Sequence, residues 1–241
     1  MITLLIATRN NHKVSEIRAI LGPEFQYRTL NELPDSPEVE ENAPTFSGNA
    51  TKKAVELAQW LASTKLEICS GETLVLADDS GLEVDALAGA PGVYSARFAA
   101  LDAGGAGNSS ATENNAKLLR LLEGVPPEKR TARFRCVVAL TPVLFPQQQS
   151  ASPVCYADEF EMATELFEGS CEGRIGLFPQ GSGGFGYDPL FFPTGFEQTF
   201  GELPAEVKNR LSHRGMALEK LRQRLNVRPS AGHAFYSGTR K

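Results

Sequence analysis

The sequence lacks long apolar runs. None approaches the roughly 18 residues that a membrane-spanning helix needs, so a bilayer-spanning chain is excluded. Cysteine is scarce: four residues in 241, at positions 69, 136, 155 and 171, with no C-x-x-C pair. A chain of this length needs no disulfide staples, and the simplest reading is reduced thiols in a cytoplasmic protein. Positive charge is in deficit, with Lys+Arg at 24, Asp+Glu at 29 and a net charge of −5. The basic footprint that grips nucleic acid by its phosphates is therefore absent. A small anionic ligand stays open, because it needs only a local cluster of cations. There is no G-x-S-x-G and no H-E-x-x-H motif, which argues against familiar serine-hydrolase and zinc-protease designs. No charged region precedes the short opening apolar stretch and no small-residue cleavage site follows it, so it reads as a first strand rather than a leader.

What is present is ordinary globular composition, 41% hydrophobic and 22% charged. The length suits one large domain or two small lobes and buries about 70–75% of the unfolded surface. Residues 2–7 (ITLLIA) read as a buried strand. The polar TRNNHK turn follows, and then a helix with Val14, Ile17, Ile20 and Leu21 on one face. Strand, turn, helix opens an α/β unit. Residues 24–46 read as loop with one short strand, and 48–63 as a helix with Ser47 as N-cap. A second strand spans 73–77 and ends at Asp78-Asp79, and residues 81–97 are turn-rich. Residues 102–111 read as a mobile loop rich in Gly, Ser and Ala. Ser110 and Glu113 have capping-box spacing for a helix running to about 123. Strands are expected at 132–141 and within 155–168, a surface insertion at 145–154, and helices at 204–211 and 213–225 broken at Ser212. Mixed strands and helices along residues 1–225 predict one α/β domain, with 226–241 a poorly ordered tail.

Four segments carry chemistry. Thr8, Arg9, Asn10, Asn11, His12 and Lys13 lie between a strand and a helix, where backbone N–H groups and the helix dipole favour an anion. An ordinary polar turn with an Asn N-cap fits the same residues. Asp78-Asp79-Ser80 ends an apolar strand. Two buried carboxylates there are costly unless paired or bound to a cation, and hard oxygen ligands beside phosphates favour Mg²⁺. A turn with a capping Asp is the alternative. GGFGYDP, residues 183–189, offers close backbone approach and the rings of Phe185 and Tyr187 for a base to stack on, or else a glycine turn with core aromatics. Lys208, His213 and Arg214 lie at the last two helices and either face an anion or form a solvated helix start. Lys53 falls two or three residues off its helix's apolar stripe, which by spacing alone makes it solvent-facing. His12 and His233 read as surface residues.

In order and spacing, TRNNHK, SGNATKKA, ADDSGLEVDALAGAPGVYSARFA, GGFGYDPLF and SHRGMAL together make the chain resemble the inosine triphosphate pyrophosphatase family, also called Ham1-like, over residues 2–225. The resemblance implies an elongated, two-lobed α/β fold with a long central mixed sheet flanked by helices and an active-site cleft between the lobes. It implies hydrolysis of non-standard purine nucleoside triphosphates (ITP, dITP, XTP) to monophosphate and pyrophosphate, Mg²⁺, and a cytoplasmic homodimer. Carried over by position, Thr8, Asn10 and Lys13 contact phosphate within the 8–13 loop, and Lys53 lies near the phosphates. Asp79 is the catalytic carboxylate and a metal ligand, with Asp78 beside it. Ser80 contacts substrate, and Glu41 is the second metal ligand with Glu40 as the alternative. Phe185, Gly186, Tyr187 and Asp188 bind the nucleoside, and Lys208, His213 and Arg214 read the base and phosphates. The chain departs from the pattern at two places. Asn42-Ala43-Pro44 follows Glu41 where many members have Thr-Gly, and Gly48 stands where members commonly have Glu. A related pyrophosphatase with shifted base preference, or a weakly active nucleotide-binding homologue, are the competing readings.

Overall fold

The computed structural model describes residues 1–64, 71–105, 107–144 and 158–226. Six strands form one mixed sheet: β1 (Thr3–Ile6), β2 (Gln26–Thr29), β3 (Thr73–Val84), β4 (Thr131–Pro142), β5 (Glu165–Ile175) and β6 (Phe191–Pro193). Their spatial order is β2-β1-β3-β4-β5-β6. β1 pairs in parallel with β2 and β3, and all later pairings are antiparallel. Six helices accompany them: α1 (Asn11–Leu21), α2 (Phe46–Thr64), α3 (Ala111–Leu121), α4 (Glu159–Met162), α5 (Ala205–Leu211) and α6 (His213–Asn226). The expected α/β class, with a mixed sheet flanked by helices, is thus observed.

Side chains alternate across a strand, and β3 uses this fully. Leu74 and Leu76 pack with Ile17 of α1 and Leu218 and Leu221 of α6. Val75 and Ala77 pack on the other face with Ala50, Ala54, Leu57 and Leu61 of α2. Further along, Leu82 and Val84 return to the α6 face but join a separate core with Leu118, Phe134, Phe191 and Phe200. β3 therefore runs from one core into another, and Asp78, Asp79 and Ser80 occupy the stretch between them.

Three expectations need correction. β3 does not end at Ala77. It continues through the acidic pair because β4 pairs with it residue for residue, from Leu74↔Pro142 to Val84↔Ala132, and that ladder satisfies the backbone of the turn-like DDSG sequence. Helix α2 starts at Phe46, and its capping hydroxyl is Thr45 rather than Ser47, with Gly48 N–H donating to Thr45 Oγ1 at 3.1 Å. The 102–111 loop is tied down at Asp102, which pairs with Lys117 at 2.6 Å and Arg120 at 2.9 Å. The Ser110–Glu113 capping box and the break at Ser212 are present, and β5 pairs with β4 but runs Glu165–Ile175, so only its first four residues fall within the expected 155–168 window. Cys136 packs in the core, buried. The 145–154 insertion, Cys69, Cys155 and the tail beyond Asn226 lie outside the described residues.

Candidate active site

The site opens where β1 stops. Ile6 is the last β1 residue paired with β3, opposite Leu76, and Ala7 N–H donates once more to Leu76 O. Beyond that point the β1 side of β3 is free of a strand, and the TRNNHK turn fills it. Ligands in α/β sheets settle at the carboxyl ends of parallel strands, and this is such an end. Asn10 caps α1, its Oδ1 accepting from His12 N at 2.9 Å and Lys13 N at 3.4 Å. The capping reading of Asn10 was therefore right, and it also aims the α1 N-terminus at the acidic pair. Thr8 Oγ1 accepts from Asn10 N at 3.2 Å, Arg9 donates to Ser36, and Asn11 Oδ1 accepts from Asn31. His12 is exposed and stacks on Phe185 with centroids 5.7 Å apart.

The alternation of β3 sends Asp78 and Ser80 to the α1/α6 face and Asp79 to the α2 face. On the first face lies an alternating chain of charges. Lys13 Nζ is 3.1 Å from Asp78 Oδ2, which Arg214 Nη2 meets at 3.0 Å. Arg214 Nη1 reaches Glu16 Oε2 at 2.5 Å. Glu16 Oε1 lies 2.8 Å from Lys208 Nζ, and Lys208 lies 2.7 Å from Asp188 Oδ2. Ser80 Oγ accepts from Arg214 at 2.9 Å. Burial pushes the Asp78 carboxyl up, but Lys13, Arg214 and Lys53 outweigh it and hold it far below the usual carboxylate range. It stays ionised, as a strut between cations. Arg214 and His213 are buried, so the solvated-helix-start reading fails for both. His213 stacks on Phe134 at 4.7 Å. Burial, then Arg214 and Lys208, push it well below its usual range, so it stays neutral. Its Nδ1 is buried without a hydrogen-bond partner.

On the α2 face, Lys53 is only 11% exposed at its side chain, which overturns the spacing-based expectation. Its ammonium donates to Asp78 O at 3.2 Å and pairs with Glu41 Oε1 at 2.8 Å. Asp79 Oδ1 accepts from Ser80 N and Oδ2 from Asn49 Nδ2, each at 3.0 Å. Burial raises the Asp79 carboxyl above the usual range and outweighs Lys53, Asn49 and Lys13, while Glu41 adds to the rise. The two neighbours thus differ: cations hold Asp78 ionised, whereas burial shifts Asp79 toward its protonated form. Glu41, not Glu40, belongs to the site, since Glu40 is exposed and accepts from Asn42. Among the described residues no group of three or more His, Cys, Asp or Glu forms a ready metal cage. The carboxylates of Asp79 and Glu41 nevertheless offer the hard oxygen ligands that suit Mg²⁺, an ion that keeps several waters in its shell.

The 183–189 loop divides. Phe185 is half-buried, with Lys208 Nζ 4.9 Å and Arg214 Cζ 5.5 Å from its ring centre. Tyr187 is buried and donates its hydroxyl to Ser95 O, so its ring is a core element rather than an open stacking surface. Asp188 accepts from Phe185 N at 2.7 Å, and Gly186 O accepts from Asn115 Nδ2 at 3.1 Å. Sequence reasoning missed Glu16, Asn49 and Arg97, whose Nη2 donates to Glu41 O at 2.8 Å. Only Glu16 had a local signal, its i+3 spacing from Lys13 on α1.

Lys13, Lys53 and Arg214 converge with the carboxylates of Asp78, Asp79 and Glu41 beside one strand end, a setting of the kind found in hydrolases that act on phosphoanhydrides. The Ham1 family model matches residues 4–224, and the chain belongs to that family. A dITP/XTP pyrophosphatase of Desulforamulus reducens is 48% identical over 92% of this chain and 95% of its own. One of Geobacter sulfurreducens is 46% identical over 93% and 97%. Among solved structures, a HAM1 protein of Coxiella burnetii superposes with a TM-score of 0.71 at 35% identity, covering 94% of this chain and 99% of its own.

Proposed function

We propose that the chain hydrolyses deaminated purine nucleoside triphosphates (ITP, dITP, XTP) between the α- and β-phosphates, releasing monophosphate and pyrophosphate. The observation that carries this reading is the split between Asp78 and Asp79. In the middle of β3, beside the end of β1, Asp78 lies between Lys13 and Arg214 and is held ionised, while Asp79 takes hydrogen bonds from Asn49 and Ser80 N and is pushed toward protonation.

Lys13, Lys53 and the α1 N-terminus hold the triphosphate still and spread its charge. Asp79 accepts the proton of the water that attacks the α-phosphorus, and the electron pair of the breaking P–O bond leaves with pyrophosphate. Asp79 and Glu41 would hold Mg²⁺, whose chemistry is to neutralise the phosphate oxygens and the leaving group. Phe185 offers a face to the purine. Lys208, His213 and Arg214 present donors toward its 6-position. Inosine and xanthine have an acceptor oxygen there, whereas adenine has an amino donor that leaves buried donors unpaired, a mismatch worth up to about 10⁴-fold. The reading includes a homodimer working in the cytoplasm. Light scattering on the purified protein tests the dimer.

The test is pyrophosphate release with Mg²⁺ from ITP, XTP, dITP, GTP and ATP at equal concentration. ITP and XTP should exceed ATP by at least about 100-fold. Equal rates with ATP would move the protein to a pyrophosphatase of different base preference, and binding of ITP without release would make it a binding protein.

A further inference from the structure

The loop that carries Glu41 has no regular structure, yet Glu41 must sit at a fixed distance from Asp79 if the two are to share a cation. The only side chain that hydrogen-bonds both to that loop and to Asp79 is Asn49, among the described residues. It is 1% exposed, on the first turn of α2. Its Oδ1 accepts from Ala43 N–H at 2.8 Å, two residues from Glu41, and its Nδ2 donates to Asp79 Oδ2 at 3.0 Å. The amide cannot be turned round: the Ala43 N–H requires an acceptor and the Asp79 carboxylate a donor. One side chain therefore ties Asp79 to the loop two residues beyond Glu41. Asp79 Oδ1 takes its own hydrogen bond from Ser80 N, so the two oxygens are held in a fixed plane.

The neighbouring residue allows the contact. A Cβ at Gly48 would lie 2.8 Å from Ala43 Cβ and 3.1 Å from Thr45 Oγ1. With Ala at 43, a side chain at 48 would lift the loop off the helix and stretch the Ala43–Asn49 bond. Small residues at 48 thus go with Ala43, and the chain relies on this short loop-to-helix approach to place Glu41.

We propose that Asn49 is a positioning residue that sets the Glu41–Asp79 separation and so governs divalent-cation binding. This rests on the carboxylate assignment above. The test uses the full chain with Mn²⁺ and a non-hydrolysable α,β-methylene ITP. Bound Mn²⁺ is counted by electron paramagnetic resonance, and turnover of ITP is measured separately. Asn49→Asp keeps an acceptor for Ala43 N–H but replaces the donor to Asp79 with a carboxylate. Asn49→Ala removes both bonds. Both variants should bind Mn²⁺ at least 10-fold more weakly. Turnover should fall at least 10-fold through kcat, recovered in part by excess Mg²⁺, while KM for ITP at saturating metal changes less than 3-fold. A merely structural residue would lower the folded fraction without moving the Mn²⁺ affinity of the molecules that remain folded. Mn²⁺ affinity within twofold of wild type in either folded variant overturns the proposal, and so does failure of both variants to fold. Glu41→Gln and Asp79→Asn are run alongside. If these keep wild-type Mn²⁺ binding, the carboxylate assignment fails, whatever Asn49 does.

Discussion

Adjacent residues on a strand point to opposite faces, so Asp78 and Asp79 meet different surroundings. Asp78 is enclosed by Lys13 and Arg214, and removing its charge would strand Lys13 and leave Arg214 with Glu16 as its carboxylate partner. Asp79 has only amide donors on its oxygens and a carboxylate, Glu41, for a neighbour. Asp79→Asn keeps the shape and removes the proposed base. Turnover of ITP should fall about 10²–10⁴-fold while calorimetric ITP affinity at saturating Mg²⁺ stays within a few-fold. Near-wild-type turnover would take Asp79 out of the catalytic role. His213 gives a prediction of another kind. It is neutral in the folded protein because burial, then Arg214 and Lys208, depress its pKa. Unfolding releases it to titrate near its ordinary value of about 6.5. Between the depressed and the ordinary value the unfolded chain binds more protons, so stability falls as pH is lowered through about 6.5. The thermal midpoint should drop from pH 7.5 to 5.5, and His213→Gln should make that drop shallower. Parallel curves for variant and wild type would exclude His213 as a source of it.

The elements most readable from sequence were those with a local grammar. Asn10 before α1, Ser110 with Glu113 before α3, and Ser212 between α5 and α6 each satisfy nearby backbone groups, and each was visible. The length of β3 was not. Asp78-Asp79-Ser80-Gly81 is turn-like on its own and becomes strand only because β4, some sixty residues later, pairs with it. Glu16 was hidden for the same reason, since its partners Lys208 and Arg214 lie 192 and 198 residues away. Gly81 shows how tightly this stretch is fitted. A Cβ there would run into Gly92 O, Ser95 Oγ and the Phe46 ring, the first of which is backbone. Ser95 Oγ also accepts from Leu82 N at 2.9 Å, so the strand and the turn at 92–97 cannot separate without losing that bond. Gly81→Ala should cost about 1–3 kcal/mol in urea denaturation and should also lower kcat, because the overpacking acts two residues from Asp79. A variant of wild-type stability would mean that the turn at 92–97 yields easily. By contrast, Thr45→Ala removes a cap on exposed backbone and should cost about 1 kcal/mol.

Over the whole molecule, the sheet joins three cores, and the site sits where two of them on one face are interrupted by charge. The chain as a whole is negative, and its site is not a positive funnel that would draw in a triphosphate by charge alone. Lys13, Lys53, Lys208 and Arg214 face Asp78, Asp79, Glu16, Glu41 and Asp188, and most of these charges are already paired with one another. Four cations against five carboxylates leave nothing to offset a ligand that brings about four negative charges of its own, so triphosphate affinity must depend on added divalent cation. The proposed base-binding end has no such need, since Phe185 and the donors around it are in place without metal. Stripping the protein with EDTA should therefore weaken ITP binding by more than about 10-fold, or 1.4 kcal/mol, in calorimetry with the α,β-methylene analogue. Binding of uncharged inosine should be unchanged by the same treatment. If the analogue binds equally well with and without divalent cation, the paired cations must release from their carboxylates to meet the phosphates. The alternating chain from Lys13 to Asp188 would then rearrange on binding instead of serving as a fixed frame.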